Sequence, residues 1–267
     1  MNDVQRKQML FQGKGLSASV CYYTPHLRMA KHCHEHHQVS WLLVGEMQES
    51  GRRAARDVYR FSCGVKPAGF THANHYGPSG SLILAINIDP EMTQALEALP
   101  LSDWCWRLPE DEVARRRFAE LMPLLAEPTA CREQVVWDLL ALSQAHREDA
   151  QSVSTPPAWL ANVRDALREG GPELDIATIA QETGVHRVHL SRSFSRHFGT
   201  TPSAYRSRSA MAKAVTALAA GHSLSSAASE AGFADQAHLH RVVRRQTGLT
   251  PGALSRLAQR GKVTSVQ

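Results

Sequence analysis

Apolar positions along residues 1–90 come in short runs broken by turn residues. Leu16–Tyr23, Val39–Val44 and Ser81–Ile88 are the clearest runs, and Gly45, Gly51, Gly64, Gly77 and Gly80 punctuate them. No 3.6-residue period persists, so this part predicts short antiparallel strands closed into a barrel or sandwich. Beyond residue 90 the period lengthens. Val113, Phe118, Leu121 and Leu125, then Val135, Leu139 and Leu142, recur at helical spacing. They predict helices over Glu91–Leu99, Asp111–Leu125 and Arg132–His146, with Trp104, Trp106 and Trp137 adding apolar area. Such helices can cover the barrel or pair two copies of the chain. Residues 149–157 are polar and end in Pro156-Pro157, the composition of a stiffened linker.

The last third carries one pattern twice. Ala180-Gln181-Glu182-Thr183-Gly184-Val185, His189-Leu190-Ser191-Arg192 and Gly199-Thr200-Thr201-Pro202 return as Ala228-Ser229-Glu230-Ala231-Gly232-Phe233, His238-Leu239-His240-Arg241 and Gly248-Leu249-Thr250-Pro251. A repeat of this kind is one structural unit used twice. Each copy predicts a helix, a glycine turn and a second helix. Asp175 and Ser223 are the candidate N-caps. Leu190 and Phe194, and Leu239 and Val243, turn inward. Arg187, His189, Arg192 and Arg196 in one copy, and His240, Arg241, Arg244 and Arg245 in the other, form a basic outer face. An apolar core beneath a basic second helix is the layout of a DNA-reading helix-turn-helix.

Charge follows the same division. The net +5 splits as +7 over residues 160–267 and −2 over residues 1–159. The basic excess therefore sits where a phosphate backbone would be met. Five cysteines with no C-x-x-C pair point to reduced thiols. The opening MNDVQRKQML has no apolar signal region, and the longest apolar run, Leu82–Ile86, is too short to span a bilayer. These features predict a cytoplasmic protein without membrane partners.

Residues 174–254 resemble the AraC/XylS-type DNA-binding domain. Ile179-Ala180, Gly184, Leu190, Phe194, Phe198-Gly199, Pro202, Tyr205, Ala214, Leu218, Ala228, Gly232-Phe233, Gln236, Gly248 and Pro251 carry the resemblance. Leu239 and Val243 stand where that family usually has Phe, and Ala210 where a basic residue is common. The resemblance implies two helix-turn-helix units on one linker helix, roughly Pro202 to Ala220. It places Val188, Ser191 and Arg192, and Gln236, His240 and Arg241, at base edges of double-stranded DNA. Arg187 lies on the same face, and Arg196, Arg244 and Arg245 would reach phosphates.

In the first part, His32-Cys33-His34 with Gln38 and Gly45, followed by Pro67-Ala68-Gly69-Phe70-Thr71-His72, resembles the two motifs of the cupin barrel. In metal-binding cupins the matching positions hold one metal ion. Carried over, His32, His34 and His72 are ligands for a divalent transition metal, with Gln38 in the carboxylate position and Tyr76 where Asn is usual. On one strand, residues 32, 34, 36 and 38 would share a face. The bland alternative is a metal-free polar pocket.

The chain thus predicts an α+β, two-domain protein. Residues 1–150 form a cupin-like barrel with helical cover, 151–158 a linker, and 159–267 an all-α tandem helix-turn-helix domain. The predicted function is a non-enzymatic transcription regulator, paired as a homodimer through its N-terminal part and controlled by an unidentified small ligand or a metal. The alternative is a metal-dependent cupin enzyme fused to a DNA-binding domain, and the neutral amide of Gln38 speaks against it.

Overall fold

A computed structural model describes residues 4–51, 55–92, 104–109, 112–128, 131–144, 146–148, 156–170 and 175–265. The N-terminal part is built from β1 (Val4–Gln12), β2 (Leu16–Tyr23), β3 (Arg28–His32), β4 (His37–Ser50), β5 (Ala55–Val58), β6 (Cys63–Lys66), β7 (His72–Ile88), β8 (Cys105–Pro109) and β9 (His146–Glu148). With β10 (Lys262–Ser265) from the end of the C-terminal part, the strands pair antiparallel in one sheet of order β10-β1-β2-β7-β4-β6-β8-β9, with β3 on β7 and β5 on β4. The long strands β4 and β7 are its spine. β4 shifts register between Leu42 and Val44 and again between Gly45 and Met47. Gly45 has φ +88°, and a Cβ there would overlap the Gly80 carbonyl, so only glycine fits. Such bulges deepen the curl of a sheet.

Helices α1 (Glu112–Ala126) and α2 (Arg132–Gln144) lie on the sheet. Phe118 contacts Trp41 and Phe61, with ring centroids 5.7 Å and 4.8 Å away. The predicted helical cover is therefore present. One expectation needs correction. His146 belongs to β9, which pairs with β8, rather than to a helix. Trp106, on β8, and Trp104, just before it, add their apolar area to a cluster with Leu42, Tyr76 and Ile83. Most of the predicted helix Glu91–Leu99 and most of the linker fall outside the described residues.

The C-terminal part holds α3 (Ala158–Glu169), α4 (Ile176–Glu182), α5 (Arg187–Phe198), α6 (Pro202–Ala219), α7 (Leu224–Glu230), α8 (Gln236–Thr247) and α9 (Pro251–Gln259). It ends in a strand, β10 (Lys262–Ser265), which pairs with β1 from Val4↔Ser265 to Lys7↔Lys262. The part is therefore not wholly helical. The outer edge of β1 offers unpaired backbone groups, and the returning tail satisfies them.

The two parts also share a core. One apolar cluster runs from Trp41, Leu84 and Phe118 through Met211, Val215, Leu239 and Val243 to Leu254 and Leu257. A second cluster joins Leu160, Val163 and Leu167 of α3 to Ile179, Leu190, Phe194, Phe198 and Tyr205. Polar contacts fasten α6 to the sheet. Tyr205 Oη donates to Glu46 Oε2 at 2.8 Å, Thr216 Oγ1 to the Ser79 carbonyl at 2.6 Å, and Tyr22 Oη to Thr216 Oγ1 at 3.2 Å.

Candidate nucleic-acid interface and metal centre

Each copy of the repeat folds as its residues require. After α4 the chain turns at Gly184 (φ +67°), and after α7 at Gly232 (φ +79°). Both positions are left-handed, where a Cβ is strained. The second helices stop at Gly199 and Gly248, again left-handed, which is the usual C-terminal glycine arrangement. Thr201 and Thr250 then cap α6 and α9, each accepting from a backbone N–H three residues on at 3.2 Å, with proline in the first turn. Ser223 caps α7 through the Ser226 amide, as predicted. Asp175 precedes α4 but makes no side-chain cap bond.

Leu190, Phe194, Leu239 and Val243 are fully buried, and the opposite faces look outward. Arg187, Arg192 and Arg196 on α5, and Gln236, Arg241, Arg244 and Arg245 on α8, are exposed; Ser191 and His240 are half-buried. Val188 is 48% exposed, an unusual position for a β-branched apolar residue with no partner. Among the described residues, no hydrogen bond or ion pair engages the guanidinium groups of Arg187, Arg192, Arg196, Arg241 or Arg244. They are charged donors without acceptors. Helix α6 has 18 residues and spans about 27 Å at 1.5 Å per residue. Adjacent major grooves on one face of DNA lie about 34 Å apart.

The barrel encloses a cavity of about 460 Å³, lined by residues of β1, β2, β3, β4, β6, β7 and β8. His32, His34 and His72 meet at its mouth. Their ligand atoms all lie within 4.8 Å of one another. The route differs from the strand alternation predicted. β3 ends at His32 and β4 begins at His37, so residues 32–38 do not form one strand. Instead His32 faces His72 across the β3–β7 pairing, with ring centroids 4.3 Å apart. His34 arrives on the connecting loop, held where the Gly69 amide donates to the His34 carbonyl at 2.8 Å.

The geometry suits a metal ion. His32 Nδ1 is 2.8 Å from the Ala30 carbonyl and His72 Nδ1 3.2 Å from the Phe70 carbonyl. With Nδ1–H donating, each ring keeps the Nε2 lone pair for a metal. Burial holds His72 down to about 4 and His34 to about 3, so both are neutral ligands at neutral pH. Gln38 lines the cavity but is engaged elsewhere. Its amide donates to Asn87 Oδ1 at 3.0 Å and its carbonyl accepts from Ser40 Oγ at 3.1 Å.

The sequence reading missed Glu49. It is fully buried on β4, opposite Asn74. Its carboxylate accepts from Trp106 Nε1 (2.7 Å), Trp104 Nε1 (2.8 Å) and Asn74 Nδ2 (3.3 Å), and pairs with Lys66 Nζ at 3.1 Å. His72 Nε2 is 3.7 Å away. Burial alone would raise the carboxyl, but Lys66, His72 and the Trp104 indole N–H hold it down to about 2. Glu49 is thus an ionised floor to the cavity, beneath the three histidines. Its only signal in the sequence is an acidic residue in an otherwise apolar alternation, too common to single out.

Residues 179–256 match the model of a family described as a helix-turn-helix domain. Among solved structures, the C-terminal domain of AraT, a response regulator from Geobacillus stearothermophilus, is 19% identical over 39% of this chain and 88% of its own, with a TM-score of 0.37. ToxT from Vibrio cholerae O395 is 10% identical over 92% of this chain and 99% of its own, with a TM-score of 0.39. An RmlC-like cupin from Shewanella frigidimarina NCIMB 400 is 19% identical over 34% of this chain and 80% of its own, with a TM-score of 0.30. No curated protein matches the chain. None of the described helices is long and apolar enough to cross a membrane.

Proposed function

From a chain whose C-terminal part is an AraC/XylS-type tandem helix-turn-helix domain and whose N-terminal part is a cupin-like antiparallel barrel, we infer a sequence-specific transcription regulator controlled through its barrel. One observation carries the DNA reading. The same helix-turn-helix occurs twice on one rigid helix, and both second helices turn unpaired arginines outward. One chain then fills two successive major grooves and reads an asymmetric site. Val188, Ser191 and Arg192, with Gln236, His240 and Arg241, meet base edges; arginine pairs with guanine and glutamine with adenine. Arg187, Arg196, Arg244 and Arg245 hold the backbone. Selection of duplexes from a random pool by the full chain should return one asymmetric motif of two half-sites about one helical turn apart. Recovery of no motif would sink this reading.

The barrel is the sensor in this proposal. His32, His34 and His72 hold one divalent transition metal, and the ion offers a Lewis-acidic point to which an oxygen of an effector can bind. Gln38 keeps its place in the wall. Three imidazoles converging within 4.8 Å support this assignment. Protein purified without a histidine tag or chelator should carry close to one metal per chain. His34→Ala and His72→Ala should each remove it and lower the melting temperature, because metal binding only to the folded state stabilises that state. Metal-free protein with unchanged response to its effector would leave a purely organic pocket. The regulator acts in the cytoplasm, and two copies pair through the N-terminal part. Light scattering of the full chain should give twice the mass of one chain.

A further inference from the structure

Between the barrel and the second helix-turn-helix lies another cavity, of about 380 Å³, separate from the histidine site. Four elements each send it an arginine: Arg60 from the segment after β5, Arg115 from α1, Arg208 from α6 and Arg245 from α8. Glu112 is the one carboxylate among its described lining residues.

Arg208 is the telling member. It is 9% exposed, and its Nε and Nη2 are buried without a hydrogen-bond partner. The Nε of Arg115 is in the same condition, and its guanidinium sits 6.0 Å above the Phe61 ring. Glu46, the acid nearest in effect to Arg208, is engaged by Tyr205 at 2.8 Å and by Arg168 at 3.2 Å. Burial, Arg115 and Arg60 together pull the Arg208 guanidinium down to about 9. A buried guanidinium with two nitrogens lacking acceptors, whose nearest acid is already shared by two other groups, is costly. Positive groups converging from four elements deepen that cost, and an anion between them removes it. The planar N–H fork of arginine matches the oxygens of phosphate.

We propose that this interdomain cavity binds a small phosphate-type dianion, inorganic phosphate or a phosphomonoester, held chiefly by Arg208 and Arg115. The hydroxyl-bearing residues Thr200 and Ser207 line the same space. Arg245 is shared between this cavity and the phosphate-contacting face of α8. The bound dianion therefore draws Arg245 away from DNA and weakens the full chain's hold on it; this last step rests on the DNA reading above.

The test uses the full chain without DNA first. Inorganic phosphate, and separately glycerol 3-phosphate, should raise the melting temperature saturably relative to chloride at matched ionic strength. The tighter of the two probes identifies the source. Arg208→Met, which removes the unpartnered charge at similar volume, should melt higher than wild type in chloride and gain nothing from phosphate. Arg115→Gln, on the rim, should fold as wild type and need about tenfold more phosphate, the scale of one charge-assisted hydrogen bond. Equal responses to phosphate and chloride, or undiminished phosphate responses in both variants, overturn the site. Phosphate should then lower affinity for the selected duplex in wild type more than in Arg115→Gln, at constant ionic strength. A saturable phosphate response with no such difference upholds the site and overturns its link to DNA.

Discussion

The two helix-turn-helix units share a pattern, a turn glycine and a capping threonine, yet they live in different surroundings. The first is built mainly from its own helices. Leu190 and Phe194 pack with α3 and Tyr205 in a small cluster that meets the barrel part through Tyr59. The second is part of the barrel. Leu239 and Val243 belong to the cluster that also contains Trp41 and Phe118, and a Cβ on Gly248 would overlap the Ala119 carbonyl of α1. A sequence repeat therefore specifies how a unit folds and leaves its environment open. The second unit is also the one in which Val243 stands at the repeat position that Phe194 fills in the first. A slimmer core there leaves room for α1 to approach.

The largest effects that probe this difference come from the two central leucines. Leu190→Ala and Leu239→Ala should each cost about 2–5 kcal/mol, as for fully buried leucines. Their reach should differ. Hydrogen exchange should rise over α3–α5 for Leu190→Ala, but over α7–α9, α1 and β2 for Leu239→Ala. Identical exchange maps would erase the distinction. Next come the proposed DNA contacts. Arg192→Ala and Arg241→Ala should each lose about 1–3 kcal/mol of binding and relax one base position, seen by anisotropy titration on single-base variants of the selected site. Arg244→Ala should weaken all duplexes alike and lower the salt slope by about 1. The smallest effect tests the caps. Ser223→Ala should cost about 1 kcal/mol, and Asp175→Ala close to nothing, since its side chain makes no cap bond. Equal losses in thermal melts would mean that the two units are capped alike after all.

Much of this was legible in the chain. β2 has the predicted bounds, Leu16–Tyr23, because its apolar run is flanked by turn residues. The turn glycines and inward residues of both units followed from spacing of a few residues, which local physics controls. The convergence of His32, His34 and His72 was legible too, though a cross-strand pair and a loop bring it about. Helix α3 was overlooked, although Leu160, Val163 and Leu167 repeat at helical spacing and are buried. Glu49, the roles of Trp104 and Trp106, and the strand at His146 were not readable. Each depends on a partner far along the chain, and a period of two or 3.6 residues carries no information about such partners. The arginine cavity is the extreme case, since its four walls come from four distant segments.

The pairing of β10 with β1 has a consequence for how the protein is made. Val4 and Ser265 are opposite each other in the sheet, so a strand made before the helix-turn-helix units waits for one made after them. During translation the barrel can curl and begin to bury its apolar strands, but one edge of β1 stays open until the tail has left the ribosome. Contacts of such long sequence separation form late, because closing the loop between them costs entropy first. The nascent barrel therefore spends the whole synthesis of the helix-turn-helix units with a sticky edge, exposed to other chains and to chaperones. Completion of that edge coincides with completion of the part that reads DNA, so a chain broken off early leaves a marked, unfinished sheet rather than a free-standing sensor.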